Sequence, residues 1–494
     1  MSLKLNDVNG DASEWAYGFK ATSRSLKPVH VAQVVFSHTL GQTSDPELLF
    51  EFTEKPGKKP SEELPEEVLD KFDIDSRDKE ERLDEIRYTL RKVLANDNAL
   101  YANTRGSAPT ATSDWFVTDP TAGVNVGRFV HYLISESNSD LESNLQTQLT
   151  DHHDTVSVLF RPLAKDAEQS SASVSSWKKP DSDDPTTNEK IVPDLVEGFG
   201  TLGEHLKSPV AGRINYPRDL RRVVKFGGFA LYLFMANRHN EIRTDGNERS
   251  QRLPLVFNYT RSRDNPVADA SLECYDTVGT EVKATSRLGV EAILDKRGFR
   301  DPSEYDEDGI KEKIENKTLL DLKRKKESKE QDDYDTFRYL FEGDPAEDTF
   351  DRLVNTVSDA INQSRFKTYT PVDTIQTFGW RAGFVKPRGN RANERRFSPD
   401  PEVLEAIILS VMEPGERIAL RKLCQRLRQR YGIIVGGTNQ DRDHLEEWDI
   451  AVGASRTEAD PLSNRNFEEF KQVTINLGFG REYADGVTIV STDQ

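Results

Sequence analysis

The chain has 494 residues and a formal net charge of −18, from 85 acidic against 67 basic side chains. A length of this order accommodates about three ordinary domains, and the acidic excess excludes binding to nucleic acid or anionic lipid through the overall field, so any such contact must come from local basic patches. Hydrophobic residues at 35% and charged residues at 31% make a polar chain with sizeable solvated or disordered segments, a composition shared by halophilic archaeal proteins and by acidic mesophile proteins.

Residues 1–163 read as an α/β unit. Val29 to Phe36 and Leu48 to Phe52 are β-branched, apolar runs that predict strands, bounded by Pro28 and by Pro56-Gly57. From Glu62 to Lys92 acids and bases alternate around Leu83, Ile86 and Leu90, the pattern of a solvated helix laced with i,i+4 pairs. Phe129 to Ser135 and Val156 to Leu163 fit strands or core helices. Residues 164–190 are rich in Ser, Asp and Pro with hardly an apolar side chain, so they predict a disordered linker or loop.

Residues 191–300 predict a central α+β unit. Pro217 through Asn237 carries Leu220, Val223, Leu231, Leu233 and Phe234 nearly all round, which belongs to a helix in the middle of a domain. Gly227-Gly228 inside it predicts close packing against another backbone. Leu253 to Tyr259 reads as a strand, Ser271 to Lys283 as a hairpin around Gly279, and Leu288 to Lys296 as a helix. Residues 301–377 form a charged helical region, with the basic run Leu322 to Lys326. Asp344 to Phe366 is amphipathic through Phe350, Leu353, Val354, Val357 and Ile361.

Chemistry-bearing motifs are sparse. The chain holds neither a Gly-x-x-x-x-Gly-Lys-Ser/Thr phosphate loop nor a Gly-x-Gly-x-x-Gly fingerprint, which argues against an ATPase or dehydrogenase. His152 and His153 are adjacent, not at the i,i+4 spacing that aims two imidazoles at one ion, so no metal site is expected there. The enzymatic alternative is a Mg²⁺-dependent nuclease of the restriction-endonuclease class, built from Asp269, Glu281 and Lys283 with Glu273 between. Glu281 and Lys283 would share one face of a strand, where carboxylates hold the metal and the lysine helps activate water. No other cofactor is expected. Cys274 and Cys424 read as buried small apolar groups, not a disulfide. The N-terminal MSLKLNDVNG has no apolar leader, and the longest apolar run, Val223 to Ala236, is broken by Lys225. A cytoplasmic chain without membrane contact is expected.

The most informative stretch is C-terminal. Residues 378–397 form a basic arm, with Arg381, Lys386, Arg388, Arg391, Arg395 and Arg396 against the single acid Glu394 and with Phe378, Trp380 and Phe384 set among them. In residues 398–494, Ser398 to Pro401 starts a helix through Val403, Leu404, Ile407 and Ile408. A second helix after Pro414-Gly415 buries Leu420, Leu423, Cys424, Leu427 and Tyr431, stops at Gly432, and shows Arg417, Arg421, Lys422, Arg426, Arg428 and Arg430 on its other face without one acid. A third helix starts near Ser463, uses Phe467 and Phe470, and stops at Gly478. Phe479 to Tyr483, the turn Ala484-Asp485-Gly486 and Val487 to Val490 then predict a hairpin.

This order of three helices and a two-stranded wing resembles the winged helix-turn-helix family. The third helix, with Glu468 and Glu469 against Arg465 and Lys471, is nearly neutral, so backbone or shape contact is expected over base reading. The whole chain is faintly similar to accessory subunits of prokaryotic anti-phage defence operons, which implies a partner that performs the chemistry. The expectation is therefore a multidomain α+β, non-catalytic subunit that contacts DNA or protein subunits through the arm and winged helix. A transcription regulator is the remaining alternative.

Overall fold

The structure is a computed structural model that describes residues 2–21, 28–40, 85, 124–137, 140–151, 177, 190–206, 216–243, 249–260, 265–321, 327–363, 366, 368–387, 394–451 and 462–493. The strand expected at Leu48 to Phe52 and the strand or core helix expected at Val156 to Leu163 lie outside these residues. So do the linker 164–190 apart from Trp177 and Lys190, the charged helix from Glu62 apart from Glu85, His152 and His153, and the basic run Leu322 to Lys326.

Helices α1 (Leu5–Tyr17), α2 (Pro28–Leu40), α3 (Val124–Ser135), α4 (Leu141–Asp151), α5 (Ile191–Leu206) and α6 (Tyr216–Ile242) come first, followed by strand β1 (Leu255–Val256). Next are α7 (Pro266–Lys296), α8 (Glu307–Glu315), α9 (Glu327–Gly343), α10 (Thr349–Asn362) and α11 (Pro371–Ala382). Strands β2 (Val385–Lys386) and β3 (Arg396–Phe397) lead into α12 (Pro401–Leu409), β4 (Arg417–Ala419), α13 (Leu420–Tyr431), β5 (Ile433–Ile434) and α14 (Gln440–Glu447). A π-helical turn at Leu462–Asn466, α15 (Phe467–Asn476), β6 (Gly480–Glu482) and β7 (Thr488–Ser491) complete the described chain. The class is mixed α and β, rich in helix with small sheets.

Helix α6 sits at the centre, as its all-round apolar surface requires. Phe226, Phe229, Tyr232, Leu233 and Phe234 are all buried. Phe234 stacks on Phe129 of α3 with ring centroids 4.3 Å apart, Tyr232 meets Phe384 edge-on at 4.7 Å, and Phe226 lies 6.0 Å from Tyr431 of α13. Each such ring contributes about 2–3 kcal/mol through burial. The glycine pair inside α6 allows close packing, though against side chains and not backbone: a Cβ on Gly227 would lie 2.8 Å from Val130 Cγ1, and one on Gly228 would meet Ala382 and Phe378 at 3.6 Å. One buried apolar cluster runs from Ala16 to Val490, and a second joins Leu3, Val290, Phe337, Phe341 and Val357.

Two expected β elements are helices. Val29 to Phe36 belongs to α2, which starts at Pro28, where a missing N–H costs nothing. Its β-branched residues Val31, Val34 and Val35 are buried at helical spacing, and packing on α3 overrides their strand propensity. Ser271 to Lys283 is the interior of α7, capped by the Asn265 side chain, which accepts from Val267 and Ala268 N–H. Buried Val267, Ala270, Cys274, Val278, Val282 and Thr285 recur every three or four residues. Gly279 marks no turn, and at Gly289 a Cβ would lie 2.5 Å from the Ala12 carbonyl, which lets α1 press against α7.

The segment before β1 fastens the C-terminal elements to the helical body. β1 pairs in parallel with β5, Leu255 opposite Ile433 and Val256 opposite Ile434. Arg252 donates to the carbonyls of Gln429 (3.0 Å) and Arg430 at the end of α13 and to the Lys190 carbonyl at 2.9 Å, and it also pairs with Asp194. A cation at a helix C-terminus meets the negative end of the macrodipole. The Arg249 guanidinium lies 4.0 Å from the Trp448 ring centre, and Glu447 accepts from Gln251 N–H at 3.0 Å.

Candidate nucleic-acid interface

Strand β4 runs straight into α13, whose apolar residues Leu420, Leu423, Cys424, Leu427 and Tyr431 recur at 3.6-residue spacing and are buried. Gly432, at φ +71°, ends the helix, because a left-handed C-cap suits a residue without Cβ. The expected hairpin is present: β6 and β7 are antiparallel, and Tyr483 N–H donates to the Val487 carbonyl at 2.9 Å across the turn. β4 joins the other side of β7, giving the order β4-β7-β6.

The arginines of α13 are largely committed within the chain. Both Nη atoms of Arg426 contact Glu416 at 2.7 Å, a two-pronged pair that raises the Arg426 pKa and lowers that of Glu416. Arg428 is buried, donates to Gln440 at 2.6 Å and lies 3.4 Å from Asp441. Arg430 donates to the Ser410 carbonyl at 2.8 Å and pairs with Glu197. Arg417 sits on β4, not on the helix, and pairs with Asp493 at 2.9 Å. Arg421 and Lys422, in the first turn, are exposed. Arg421 lies 5.1 Å from the Phe467 ring centre and donates to the Gly437 carbonyl, and Lys422 reaches Gln425 at 3.3 Å.

The arm is only partly a free surface. Arg388 and Arg391 lie outside the described residues. Lys386 pairs with Asp400 at 3.1 Å, and Arg396 faces it across β2 and β3. Arg395 is buried and donates to the Tyr275 hydroxyl at 2.9 Å. Arg381 is half-buried, 5.3 Å from the Trp380 ring centre, and burial lowers its pKa. Phe378, Phe384 and Phe397 are core residues, so these rings are not available to stack on bases.

What remains outward-facing converges at one end of the small sheet. Ala419 pairs with Ile489, and Ile489 with Arg481, so the start of α13 lies about two strand spacings, ~10 Å, from Arg481. Phe467 brings the start of α15 beneath Arg421. Lys471 lies between Glu468 at 2.5 Å and Glu482 at 3.1 Å, neutralising much of the acid on α15 and β6; the Glu468 contact raises its pKa. Arg421, Lys422, Arg465 and Arg481 are exposed around this end, with Tyr483 47% exposed and Val487 beside it on the hairpin tip. Arg481 and Tyr483 carry no periodic signal. Their position flanking the Ala484-Asp485-Gly486 turn was the available clue.

The nuclease candidates do not assemble. Asp269, Glu281 and Lys283 all lie on α7, Asp269 and Glu281 about 18 Å apart along its axis at 1.5 Å per residue. An i,i+2 pair on a helix points to different sides. Buried Glu281 accepts from His239 Nδ1 at 2.6 Å and from Arg249 at 3.3 Å, while exposed Lys283 pairs with Asp359 at 3.1 Å and Glu273 is exposed on the same helix. Among the described residues no group of three or more His, Cys, Asp or Glu could hold a metal ion, and no helix is long and apolar enough to cross a membrane. Cys274 and Cys424 are both buried free thiols, and burial raises their pKa. Comparisons of the chain with known protein families, with curated proteins and with solved structures find no match.

Proposed function

We propose that the chain is a non-catalytic, DNA-associated subunit of a prokaryotic DNA-targeting system, of the kind found in anti-phage defence, and that its C-terminal elements form a winged helix-turn-helix touching the phosphate backbone. The observation that carries this reading is the convergence at one sheet end of the α13 N-terminus, the start of α15 and the β6–β7 hairpin, with Arg421, Lys422, Arg465 and Arg481 exposed around it. The helices α12, α13 and α15, the β6–β7 hairpin and the strand order β4-β7-β6 support the family resemblance, with β5, α14 and the π-helical turn inserted between α13 and α15. Contact is with backbone, because α15 offers Glu468 and Glu469 where a base-reading helix carries donors for guanine.

Binding of duplex DNA to the full chain across a salt series tests the reading. Each cation that releases a counterion contributes about 0.9 to the slope of log K against log salt. The triple variant R421Q/K422Q/R481Q should flatten that slope by about two to three, whereas R428Q should leave it in place. A parent protein with no salt-sensitive affinity removes the DNA contact. A second reading, docking of a protein subunit on the same end, is favoured by exposed Tyr483 and Val487 and by the near balance of charge there.

A further inference from the structure

The small sheet β4-β7-β6 departs from the rule that the solvent face of an antiparallel sheet is polar. Ile418, Thr488 and Val490 point to the core side, where Thr488 and Val490 are buried and Ile418 packs on the apolar cluster. The alternate positions point outward. Ala419 stands opposite Ile489 and Ile489 opposite Arg481, so these three share the outward face in a row ~10 Å long. Tyr483 and Val487 continue that face. Tyr483 N–H donates to the Val487 carbonyl at 2.9 Å, one step beyond the Glu482–Thr488 pair, and the Arg481 guanidinium lies 5.7 Å from the Tyr483 ring centre. Ala419, Arg481, Tyr483 and Val487 are exposed, and Ile489 is half-buried. Arg417 and Ser491 are the remaining outward positions of the described strands, none of which is an acid. Glu482 falls on the other side, where it meets Lys471 at 3.1 Å.

An apolar, aromatic and cationic face open to water marks a contact site, and its flatness selects the contact. Inside a continuous duplex the flat faces of the bases are covered by their neighbours, and the grooves offer base edges and phosphates. A terminal base pair leaves one flat face bare, and that face can lie on Tyr483, Val487 and Ile489. Entry of the hairpin tip into the minor groove is disfavoured by Asp485, which is exposed in the turn and accepts from Val487 N–H at 3.1 Å, because that groove carries negative potential and attracts cations. Arg481, with Arg421 and Lys422 just past Ala419, supplies positive charge for the phosphates beside a duplex end.

We propose that the outward face of β4-β7-β6 stacks on the terminal base pair of a DNA duplex, with the Tyr483 ring as its platform, so that the chain prefers open DNA ends to continuous duplex. This preference rests on the DNA contact proposed above and adds a substrate class to it. Fluorescence anisotropy of the full chain with a short blunt duplex, its ends either open or blocked by streptavidin on terminal biotins, provides the test at one salt concentration. The open duplex should bind about tenfold more tightly than the blocked one. Y483A, a change at an exposed position, should bring the open duplex down to the blocked value and leave the melting temperature and the salt slope in place. Y483F, which keeps the ring, should keep the preference. Equal affinity for both duplexes with the salt slope intact overturns end recognition, leaves the backbone contact standing and gives Tyr483 and Val487 to a protein subunit. No salt-sensitive binding to either duplex removes both readings. An end preference that survives Y483A places the end contact elsewhere and overturns the site.

Discussion

Arg426 and Glu416 face each other through two parallel hydrogen bonds, each 2.7 Å long. Ten residues separate them in sequence, one on α13 and the other in the turn before β4. The pair closes that turn on the helix, and it makes Arg426 a structural cation. E416Q should therefore lower stability only modestly, on the order of 1 kcal/mol, because both side chains are partly solvated. It should also steepen the salt dependence of DNA binding by freeing Arg426. Melting curves and the salt series read the two effects separately; an unchanged slope in E416Q would keep Arg426 out of any phosphate contact.

Arg252 has a larger structural role. Its guanidinium serves the carbonyls of Gln429, Arg430 and Lys190 and the Asp194 carboxylate, and burial brings its pKa down to about 10. R252A leaves Asp194 and the end of α13 without their cation. We expect a loss of about 3 kcal/mol in denaturant unfolding, with R252K recovering only part, since one ammonium cannot reproduce a planar fork. A loss below about 0.5 kcal/mol would rank it with ordinary surface substitutions and remove it as the fastening between body and C-terminal elements.

The contact between α1 and α7 depends on Gly289. In G289A the added methyl would sit 2.5 Å from the Ala12 carbonyl, closer than any real Cβ contact, so the helices must part. The expected cost is about 1–3 kcal/mol despite the better helix propensity of alanine. Stabilisation in G289A, read from the melting temperature, would show the helices free to separate.

Acid sensitivity has a local source in the packing of α2 on α3. The rings of His38 and His131 lie 5.3 Å apart, and His131 Nε2 is 3.0 Å from Glu142. Burial, then the charges of His131 and Arg128, lower the His38 pKa to about 4. Between the ordinary value near 6.5 and about 4, the unfolded chain binds a proton that the folded chain refuses, so stability rises with pH across that window and falls on acidification through it. Burial lowers His131, His205 and His444 in the same direction. H38Q should consequently show a smaller drop in melting temperature between pH 7 and pH 5 than the parent chain. Equal drops would assign the acid response to the other groups.

Much of the C-terminal architecture was legible in the residues. Gly432 and Gly478 stop helices where positive φ is needed, and alternation around Ala484-Asp485-Gly486 predicted the hairpin. The buried helix near Pro217 and the amphipathic one through Phe350 to Ile361 followed from 3.6-residue periodicity. Misreadings occurred where local propensity and tertiary environment disagree. The valines of α2 favour strands in isolation, and Gly279 resembles a turn residue, yet both segments bury a helical face. The charge count on α13 was one too high, because Arg417 lies on β4, and it was incomplete as a surface. The acids that engage it, Glu416, Asp441 and Glu197, come from other elements, the last 233 residues away.

The sequence by itself determined the helices α12, α13 and α15, the β6–β7 hairpin, the central position of α6 and the acidic overall field, because periodicity, glycine stops and net charge are local or additive properties. Only the tertiary structure decided which cations still face outward, that Asp269, Glu281 and Lys283 stay apart, and that Arg252 ties Asp194 to the end of α13. These depend on which side chains meet across long stretches of chain, and hydrogen-bond and ion-pair partners chosen by packing leave no periodic trace in the residues that make them.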